Sequence, residues 1–246
     1  MQRCQSDQTG TKLELDEHTV QSSCGGYTRK VWLIKGPQEE EHPLCVFLDG
    51  EFYIERVGAL PILERLQQSP KLPSMSYLFV SYEDAAARQK DLICNPQYSK
   101  FIAEDLVHWA KQQIPTLRDR KHVLCGVSLS GLMSGYTTIH YPEVFSFSLC
   151  QSGSFWWKHE WFAEQVRSVS PIRGRFWFGV GDKETEEQVS HPPTLYQEIS
   201  QISGVQKAAQ LFSKLGAEVH YHLYSGGHEA EPWREELAEA VEWLLS

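Results

Sequence analysis

The stretch that decides the fold is residues 121–157, KHVLCGVSLSGLMSGYTTIHYPEVFSFSLCQSGSFWW. Its apolar run at 122–125 predicts a short buried strand, and residues 129–140 are typical of a helix. Between the two lies GVSLSG, residues 126–131, with Ser128 directly at the junction. A serine at a sharp strand-to-helix turn, flanked by small residues, is the arrangement known as a nucleophile elbow.

The elbow has a chemical purpose in hydrolases. A serine hydroxyl attacks well only when a base removes its proton, and the turn would expose Ser128 to such a base. The turn would also direct the backbone N–H of Leu129 at a developing oxyanion. The usual pattern is G-x-S-x-G, but Ser130 stands at the last position and glycine follows at Gly131. A plain strand-turn-helix in which Ser128 caps the helix fits the same residues.

Composition excludes several classes of protein. The chain has 246 residues, 41% of them hydrophobic, with a formal net charge of -9 and a pI of about 5.6. An acidic chain of this kind is a poor candidate for binding nucleic acid or an anionic membrane. The first residues, MQRCQSD, lack the apolar core of a signal peptide, so we expect a cytoplasmic protein. The six cysteines are scattered singly, which predicts neither a metal site nor a redox site.

Strand and helix signals alternate along the rest of the chain. Segment 28–34 predicts an antiparallel edge strand, and residues 82–95 predict a polar loop. Short apolar runs predict buried strands at 44–48, 77–81, 145–150, 176–180 and 218–224. Helical patterns occur at 54–68, 96–113 (with Asn95 as N-cap), 193–215 and 233–245. We therefore expect an α/β fold with a mostly parallel central sheet and helices on both faces. It would form a single domain at 13–246 after a flexible N-terminus at 1–12.

Candidate catalytic residues follow the predicted strands. In open α/β sheets, ligands bind beyond the carboxyl ends of the strands, so these residues should converge. The order serine, acid, histidine is that of α/β-hydrolases, and Ser128 and His228 fit the first and last places. Asp182 and Glu184 are both candidates for the acid. The loop after strand 44–48 offers the N–H groups of Gly50 and Glu51 as a second oxyanion donor.

Five segments together resemble the enterochelin (enterobactin) esterase group, in the esterase D-like branch of α/β-hydrolases. They are LDGE at 48–51, R..DL.CN at 88–95, the elbow, QSGSFWW at 151–157 and GGHE...WR at 226–234. The likeness runs from about residue 28 to the C-terminus. It implies an ester hydrolase with Ser128 as nucleophile, His228 as general base and acid, and Glu184 in preference to Asp182 as the acid.

Substrate contacts and alternative functions complete the predictions. Tyr53, Trp156 and Trp157 could line an aromatic cleft for aryl esters, and Arg88 could meet an anionic substituent. Core packing for the aromatic residues, and an ion pair with Glu83, Asp84 or Asp91 for Arg88, are the plainer alternatives. We expect a serine esterase that forms an acyl-enzyme on a small-molecule ester, with siderophore and aryl esters as candidates, and needs no cofactor. An acyltransferase or a catalytically silent binding module on the same scaffold are the alternatives, and the sequence does not indicate an oligomeric state.

Overall fold

A computed structural model describes residues 13–23, 26–191 and 194–246, so the predicted flexible N-terminus at 1–12 lies outside the described residues. The strands of the described residues are β1 Asp16–Gln21, β2 Thr28–Ile34, β3 Leu44–Leu48, β4 Ser76–Val80, β5 His122–Val127, β6 Phe145–Gln151, β7 Arg175–Gly181, β8 Val189–His191, β9 Leu195–Gln197 and β10 Glu218–Tyr224. Eight of them form one sheet in the order β1-β2-β4-β3-β5-β6-β7-β10, and β8 pairs with β9 in a separate hairpin.

The pairing directions confirm the predicted fold class. Strands β3 to β7 and β10 run parallel to one another, whereas β2 pairs antiparallel with both β1 and β4. The helices are α1 Gly50–Phe52, α2 Ala59–Gln67, α3 Ala85–Leu92, α4 Pro96–Lys100, α5 Val107–Gln113, α6 Leu129–His140, α7 His159–Ser168, α8 Gln201–Lys214 and α9 Ala230–Leu245, with π-helical turns at Tyr53–Val57 and Phe101–Leu106. This is a mostly parallel sheet with helices, as the sequence predicted.

The core lies on both faces of the sheet because the buried strands are apolar on both sides. Along β3, Leu44, Val46 and Leu48 belong to one buried cluster, together with residues of α5, α6, α7 and α8. The alternate residues Cys45 and Phe47 belong to a second cluster, which includes residues of α2 and α9. Full burial of each strand residue explains why β3 is a continuous apolar run rather than an alternating one.

Three of the predictions were wrong. The strand predicted at 28–34 is antiparallel as expected but does not lie at the edge of the sheet, because β1 pairs with its outer side. The region 82–95 was predicted to be a loop, but it contains α3, whose N-cap Asp84 accepts a hydrogen bond from the Ala87 N–H at 2.8 Å. The helix is largely polar because it buries little, so it lacks the apolar periodicity that would have predicted it. The predicted helix 193–215 begins only at α8, since residues before it form β9; Pro193 itself lies outside the described residues.

The helical pattern at 96–113 is confirmed as a continuous run through α4, a π-helical turn and α5, with the predicted cap at Asn95. The pattern at 54–68 is interrupted at Gly58, which has a φ of 68° and separates a π-helical turn from α2. In the described part of the chain, none of the helices has the length and apolar character needed to cross a bilayer. The single-domain organisation remains a prediction.

Candidate active site

The turn between β5 and α6 holds Ser128 in a strained conformation. Its φ of 56° and ψ of -121° lie outside the regions that L-residues favour, at a cost of roughly 1–3 kcal/mol. Gly126 is required by close packing, because a Cβ there would lie 2.1 Å from the carbonyl oxygen of Ser130. The strained turn places Ser128 beyond the end of a buried strand and at the start of a helix, which is the geometry of a nucleophile elbow.

Ser130 occupies the elbow position where glycine is usual, and its hydroxyl both accepts and donates hydrogen bonds within the protein. The fully buried Oγ accepts a hydrogen bond from the Val127 N–H at 2.9 Å. It lies 2.7 Å from the Val127 carbonyl oxygen and 2.8 Å from Asp49 Oδ2, and it can donate to either. Asp49 is the last residue before α1, so Ser130 links the elbow to the loop that follows β3.

The histidine loop and the acid loop meet at the neighbouring ends of β7 and β10. His228 Nδ1 lies 2.6 Å from Glu184 Oε2, and Glu184 is buried whereas His228 remains partly exposed. Asp182, the other candidate acid, instead accepts a hydrogen bond from the Gly226 N–H at 2.9 Å. Of the two candidate acids, therefore, Glu184 is the one that contacts the histidine, and Asp182 holds the backbone of the histidine loop.

Burial alone would raise the pKa of Glu184. Hydrogen bonds from His228, Ser152 and the Gly181 N–H, together with the charge of protonated His228, outweigh that effect and hold the pKa below its usual range. The Ser152 hydroxyl lies 2.7 Å and the Gly181 N–H nitrogen 2.8 Å from Glu184 Oε1. The carboxylate is thus kept ionised, which is the form that can orient an imidazole and stabilise its cation.

Ser128 and His228 both line two adjoining cavities, of about 480 Å³ and about 580 Å³. In the arrangement described, Ser128 Oγ lies 3.5 Å from Ser154 Oγ, and no hydrogen bond joins Ser128 to His228. Catalytic hydrogen bonds are often long or misaligned in an unliganded enzyme. The structure therefore brings the predicted nucleophile, base and acid to the lining of one cavity.

Arg88 also lines both cavities, on the α3 helix that the sequence pattern missed. Its Nε and Nη2 atoms lie 2.8 Å and 2.6 Å from the two carboxylate oxygens of buried Asp49. Arg88 therefore pairs with Asp49 and not with the acids proposed from the sequence; Asp91 pairs with Arg29 at 2.5 Å. The bidentate pair fixes the guanidinium beside Ser128.

The predicted aromatic wall is only partly present. Trp156 lines the smaller cavity, where its ring stacks on His191 at a centroid distance of 5.2 Å. Tyr53 is wholly buried and donates a hydrogen bond to Gln151 Oε1 at 3.0 Å, so it faces the core and not the cavity. Trp157 is also buried and packs edge-on against Trp161. The prediction of substrate contact is corrected for these last two residues because core packing takes their side chains.

The predicted oxyanion donors lie at two helix starts. Gly50 is the first residue of α1 and Leu129 the first residue of α6, and these helices follow the neighbouring parallel strands β3 and β5. N–H groups in a first helical turn have no partner within the helix and can bind an anion. Burial raises the pKa of Glu51, and nearby backbone N–H groups partly offset that effect. Gly50 and Glu51 both remain candidates for the second oxyanion donor.

Several cavity residues were not predicted from the sequence. They share a position in or beside the β8–β9 hairpin and at the start of α8: Lys183, Glu186, His191, Leu195, Gln197 and Gln201. Gln201 accepts a hydrogen bond from Trp156 Nε1 at 2.6 Å, and so holds the indole in place. No local motif marks these residues, and β9 itself was predicted to be part of a helix. Among the described residues, no cluster of histidine, cysteine and carboxylate groups is arranged to hold a metal ion.

A protein-family model described as "Putative esterase" matches residues 26–244. The chain belongs to this family. An iron(III) enterobactin esterase of Dickeya dadantii is 30% identical over 232 residues, which cover 89% of this chain and 52% of that protein. A second iron(III) enterobactin esterase, from Escherichia coli strain K12, is 34% identical over 135 residues, or 54% of this chain and 34% of that protein. The chain thus spans about half the length, or less, of these curated relatives.

Solved structures agree with this assignment. The enterobactin esterase of Shigella flexneri, crystallised in the presence of enterobactin, superposes with a TM-score of 0.79 at 26% identity, covering 95% of this chain and 59% of that one. An IroE-like serine hydrolase from Shewanella oneidensis shares the fold, with a TM-score of 0.72 at 19% identity over 94% of this chain and 80% of its own. The similarity to enterochelin esterases expected from the sequence is confirmed at the level of the family.

Proposed function

We propose that this protein is a serine esterase that hydrolyses carboxylic esters through an acyl-enzyme. The observation that carries the proposal is the 2.6 Å contact between His228 Nδ1 and buried Glu184, in a loop that shares a cavity with strained Ser128. A carboxylate on Nδ1 leaves Nε2 of the neutral imidazole as the basic nitrogen, which is the tautomer that a base for serine requires. Membership of an esterase family supports the same chemistry.

The proposed reaction has two steps, acylation of Ser128 and hydrolysis of the acyl-enzyme, and His228 and the oxyanion donors play the same roles in both. Ser128 Oγ attacks the ester carbonyl carbon while His228 Nε2 takes the hydroxyl proton. The imidazolium then gives that proton to the departing alcohol, which leaves an acyl group on Ser128. Water repeats the sequence, with His228 again as base, and releases the acid. The Leu129 N–H and the Gly50 N–H, with that of Glu51 as the other candidate, would hold the oxyanion in both halves.

The substrate that fits best is an ester with an aromatic group and an anionic group. Trp156 and His191 provide a stacked aromatic face in the smaller cavity, Lys183 provides positive charge there, and Arg88 offers the guanidinium N–H groups that Asp49 does not bind. Aromatic faces bind aryl groups by stacking, and guanidinium groups bind carboxylates or catecholates. The relatives named as iron(III) enterobactin esterases support a siderophore-type ester as one member of this class. A cytoplasmic location and the absence of a cofactor remain predictions.

A labelling experiment tests the proposal directly. A fluorophosphonate probe should modify Ser128 of the folded wild-type protein, and Ser128→Ala should remove both the adduct and the turnover of p-nitrophenyl acetate. Peptide mapping would identify the modified residue. If the folded protein gave no adduct and no turnover, the chain would be a silent member of its family. Full hydrolysis by Ser128→Ala would require another nucleophile. Screening aryl, short-chain acyl and ferric-siderophore esters would then define the substrate.

A further inference from the structure

Ser152 lies behind the candidate active site and contacts three polar side chains. It follows β6, has a φ of 42° and is fully buried. Its Oγ lies 2.7 Å from Glu184 Oε1, 2.6 Å from the Tyr224 hydroxyl and 2.9 Å from Trp233 Nε1. The three partners come from the ends of two other strands and from α9. Neither of the two site cavities is lined by Ser152, so a substrate there would not touch it.

The groups at the two ends of this set of contacts, Trp233 and Glu184, fix the direction of the hydrogen bonds between them. An indole N–H can only donate, so Trp233 donates to Ser152 Oγ and to the Tyr224 hydroxyl oxygen at 2.8 Å. At the other end, an ionised Glu184 can only accept. The Tyr224 hydroxyl can therefore donate its one proton to Ser152 Oγ or directly to Glu184 Oε1, which lies 3.2 Å away, and Ser152 donates to Glu184. Each bond in such a chain polarises the next in the same direction.

We infer that Ser152 is a positioning residue, which completes this one-way chain and thereby aims the carboxylate of Glu184 at His228. Oε1 is held by Ser152 and the Gly181 N–H, with the Tyr224 hydroxyl 3.2 Å away, so the other oxygen, Oε2, is the one that faces the imidazole. The inference rests on the proposed function, because an aimed carboxylate matters only if His228 acts as a base.

The backbone around Ser152 is fixed as firmly as its side chain. The Ser152 N–H donates to the Gly179 carbonyl oxygen at 2.8 Å, and Gln201 Nε2 donates to the carbonyl oxygens of Ser152 and Gly153. A non-glycine residue with a positive φ persists only where its surroundings over-determine it, and such residues concentrate at functional sites. Gln201 also holds Trp156 of the cavity wall, so one side chain supports both the acid and the substrate cavity.

The test compares Ser152→Ala with a matched control, Ser148→Ala. Ser148 is an equally buried serine on β6 whose hydroxyl contacts Ser134 Oγ at 2.8 Å, away from the cavities. We expect Ser152→Ala to lower kcat for p-nitrophenyl acetate by about 10- to 100-fold, the range for one hydrogen bond to a charged group, with little change in KM. The rate of fluorophosphonate labelling should fall by a similar factor, whereas Ser148→Ala should leave both near wild type.

Two more variants keep the inference testable if Ser152→Ala folds poorly. Ser152→Cys retains a weak donor and should recover part of the lost kcat, and Tyr224→Phe removes one hydroxyl and should cause a smaller loss than Ser152→Ala. Wild-type kcat in Ser152→Ala, or equal losses in Ser152→Ala and Ser148→Ala, would overturn the inference alone. A wild-type protein that neither hydrolyses esters nor reacts with the probe would overturn the proposed function instead.

Discussion

Two histidine–glutamate pairs in the described part of the chain differ in their neighbours. His228 Nδ1 lies 2.6 Å from Glu184, and His222 Nδ1 lies 3.0 Å from Glu236. In both pairs the carboxylate is buried, with its side chain 3% and 1% exposed, and the imidazole is partly exposed, at 44% and 33%. Distance and burial alone therefore do not tell the candidate catalytic pair from the other one.

The difference lies in what surrounds each pair. His228 lines both cavities beside Ser128, whereas His222 is on the edge strand β10 with its ring edge-on to Trp177. Glu236 accepts hydrogen bonds from Trp177 Nε1 at 2.6 Å and from Gln151 Nε2 at 2.9 Å, and so joins β6 and β7 to α9. We interpret the Glu236 pair as structural and the Glu184 pair as catalytic.

Replacing the two histidines should give the largest contrast. His228→Ala should lower kcat for p-nitrophenyl acetate by at least about 10³-fold, because Ser128 would lose its base. His222→Ala should change kcat by less than about threefold, because His222 lines neither cavity and lies away from the reacting atoms. Steady-state kinetics on folded protein, checked by circular dichroism, would measure both. Comparable losses in the two variants would contradict our assignment of the pairs.

Replacing the two glutamates should separate activity from stability. Glu184→Gln should lower kcat by roughly 10²- to 10⁴-fold, since an amide cannot stabilise the imidazolium or fix its tautomer. Glu236→Gln should instead lower the free energy of unfolding by roughly 1–3 kcal/mol, because the amide nitrogen would replace one carboxylate oxygen and so face either the Trp177 donor or the Gln151 donor. Kinetics and urea unfolding on each variant would test both expectations.

Asp182→Asn is the matched control for Glu184→Gln, as it changes an acid two residues away. The amide oxygen of the introduced asparagine can still accept from the Gly226 N–H, so kcat should fall far less than in Glu184→Gln. Equal losses at the two acids would remove the support for Glu184 as the triad acid.

Unchanged stability in Glu236→Gln would show that the hydrogen bonds of Glu236 are dispensable.

These contrasts also show which features could be predicted from the sequence. Ser128 and His228 could be found because each lies within a short local pattern, a G-x-S turn and a Gly-Gly-His loop after a strand. Glu184 was chosen over Asp182 with the help of the family resemblance, because both follow β7 and only the folded loop decides which one faces His228. The residues around Asp182 and Glu184 in the sequence do not by themselves show which acid contacts His228.

The remaining features depend on contacts between distant parts of the chain. Ser152 contacts Tyr224, which is 72 positions away in the sequence, and Trp233, which is 81 positions away. Contacts at such separations produce no recognisable sequence pattern. Helix α3 was missed because it is polar, although it carries Arg88 to the cavity. Tyr53 and Trp157 were placed on the cavity because aromatic residues near strand ends suit both a cleft and a core, and packing alone separates the two.

The smallest effect that we predict is a pH dependence of stability at His222. The hydrogen bond to Glu236 raises the pKa of His222 above the usual 6.5. The folded protein therefore favours the protonated imidazole, whose contribution is fully present below about pH 6.5 and is lost as the pH rises through the folded pKa. Since the imidazole is partly exposed, the contribution should stay below about 1 kcal/mol. Urea unfolding of wild type and His222→Gln across this range would measure it.

His220, two residues earlier on β10, provides the control of opposite sign. Burial, with a smaller effect from the charge of His222, lowers the pKa of His220. The unfolded chain then binds the proton more tightly, so this histidine costs stability as the pH falls below about 6.5. Because the His220 ring also stacks on Trp177 at a centroid distance of 4.0 Å, the comparison is one of pH dependence: as the pH falls, His220→Gln should gain stability relative to wild type, whereas His222→Gln should lose it. Shifts of the same sign in both variants would mean that Glu236 does not stabilise a charged His222, and that the structural pair is only a neutral hydrogen bond.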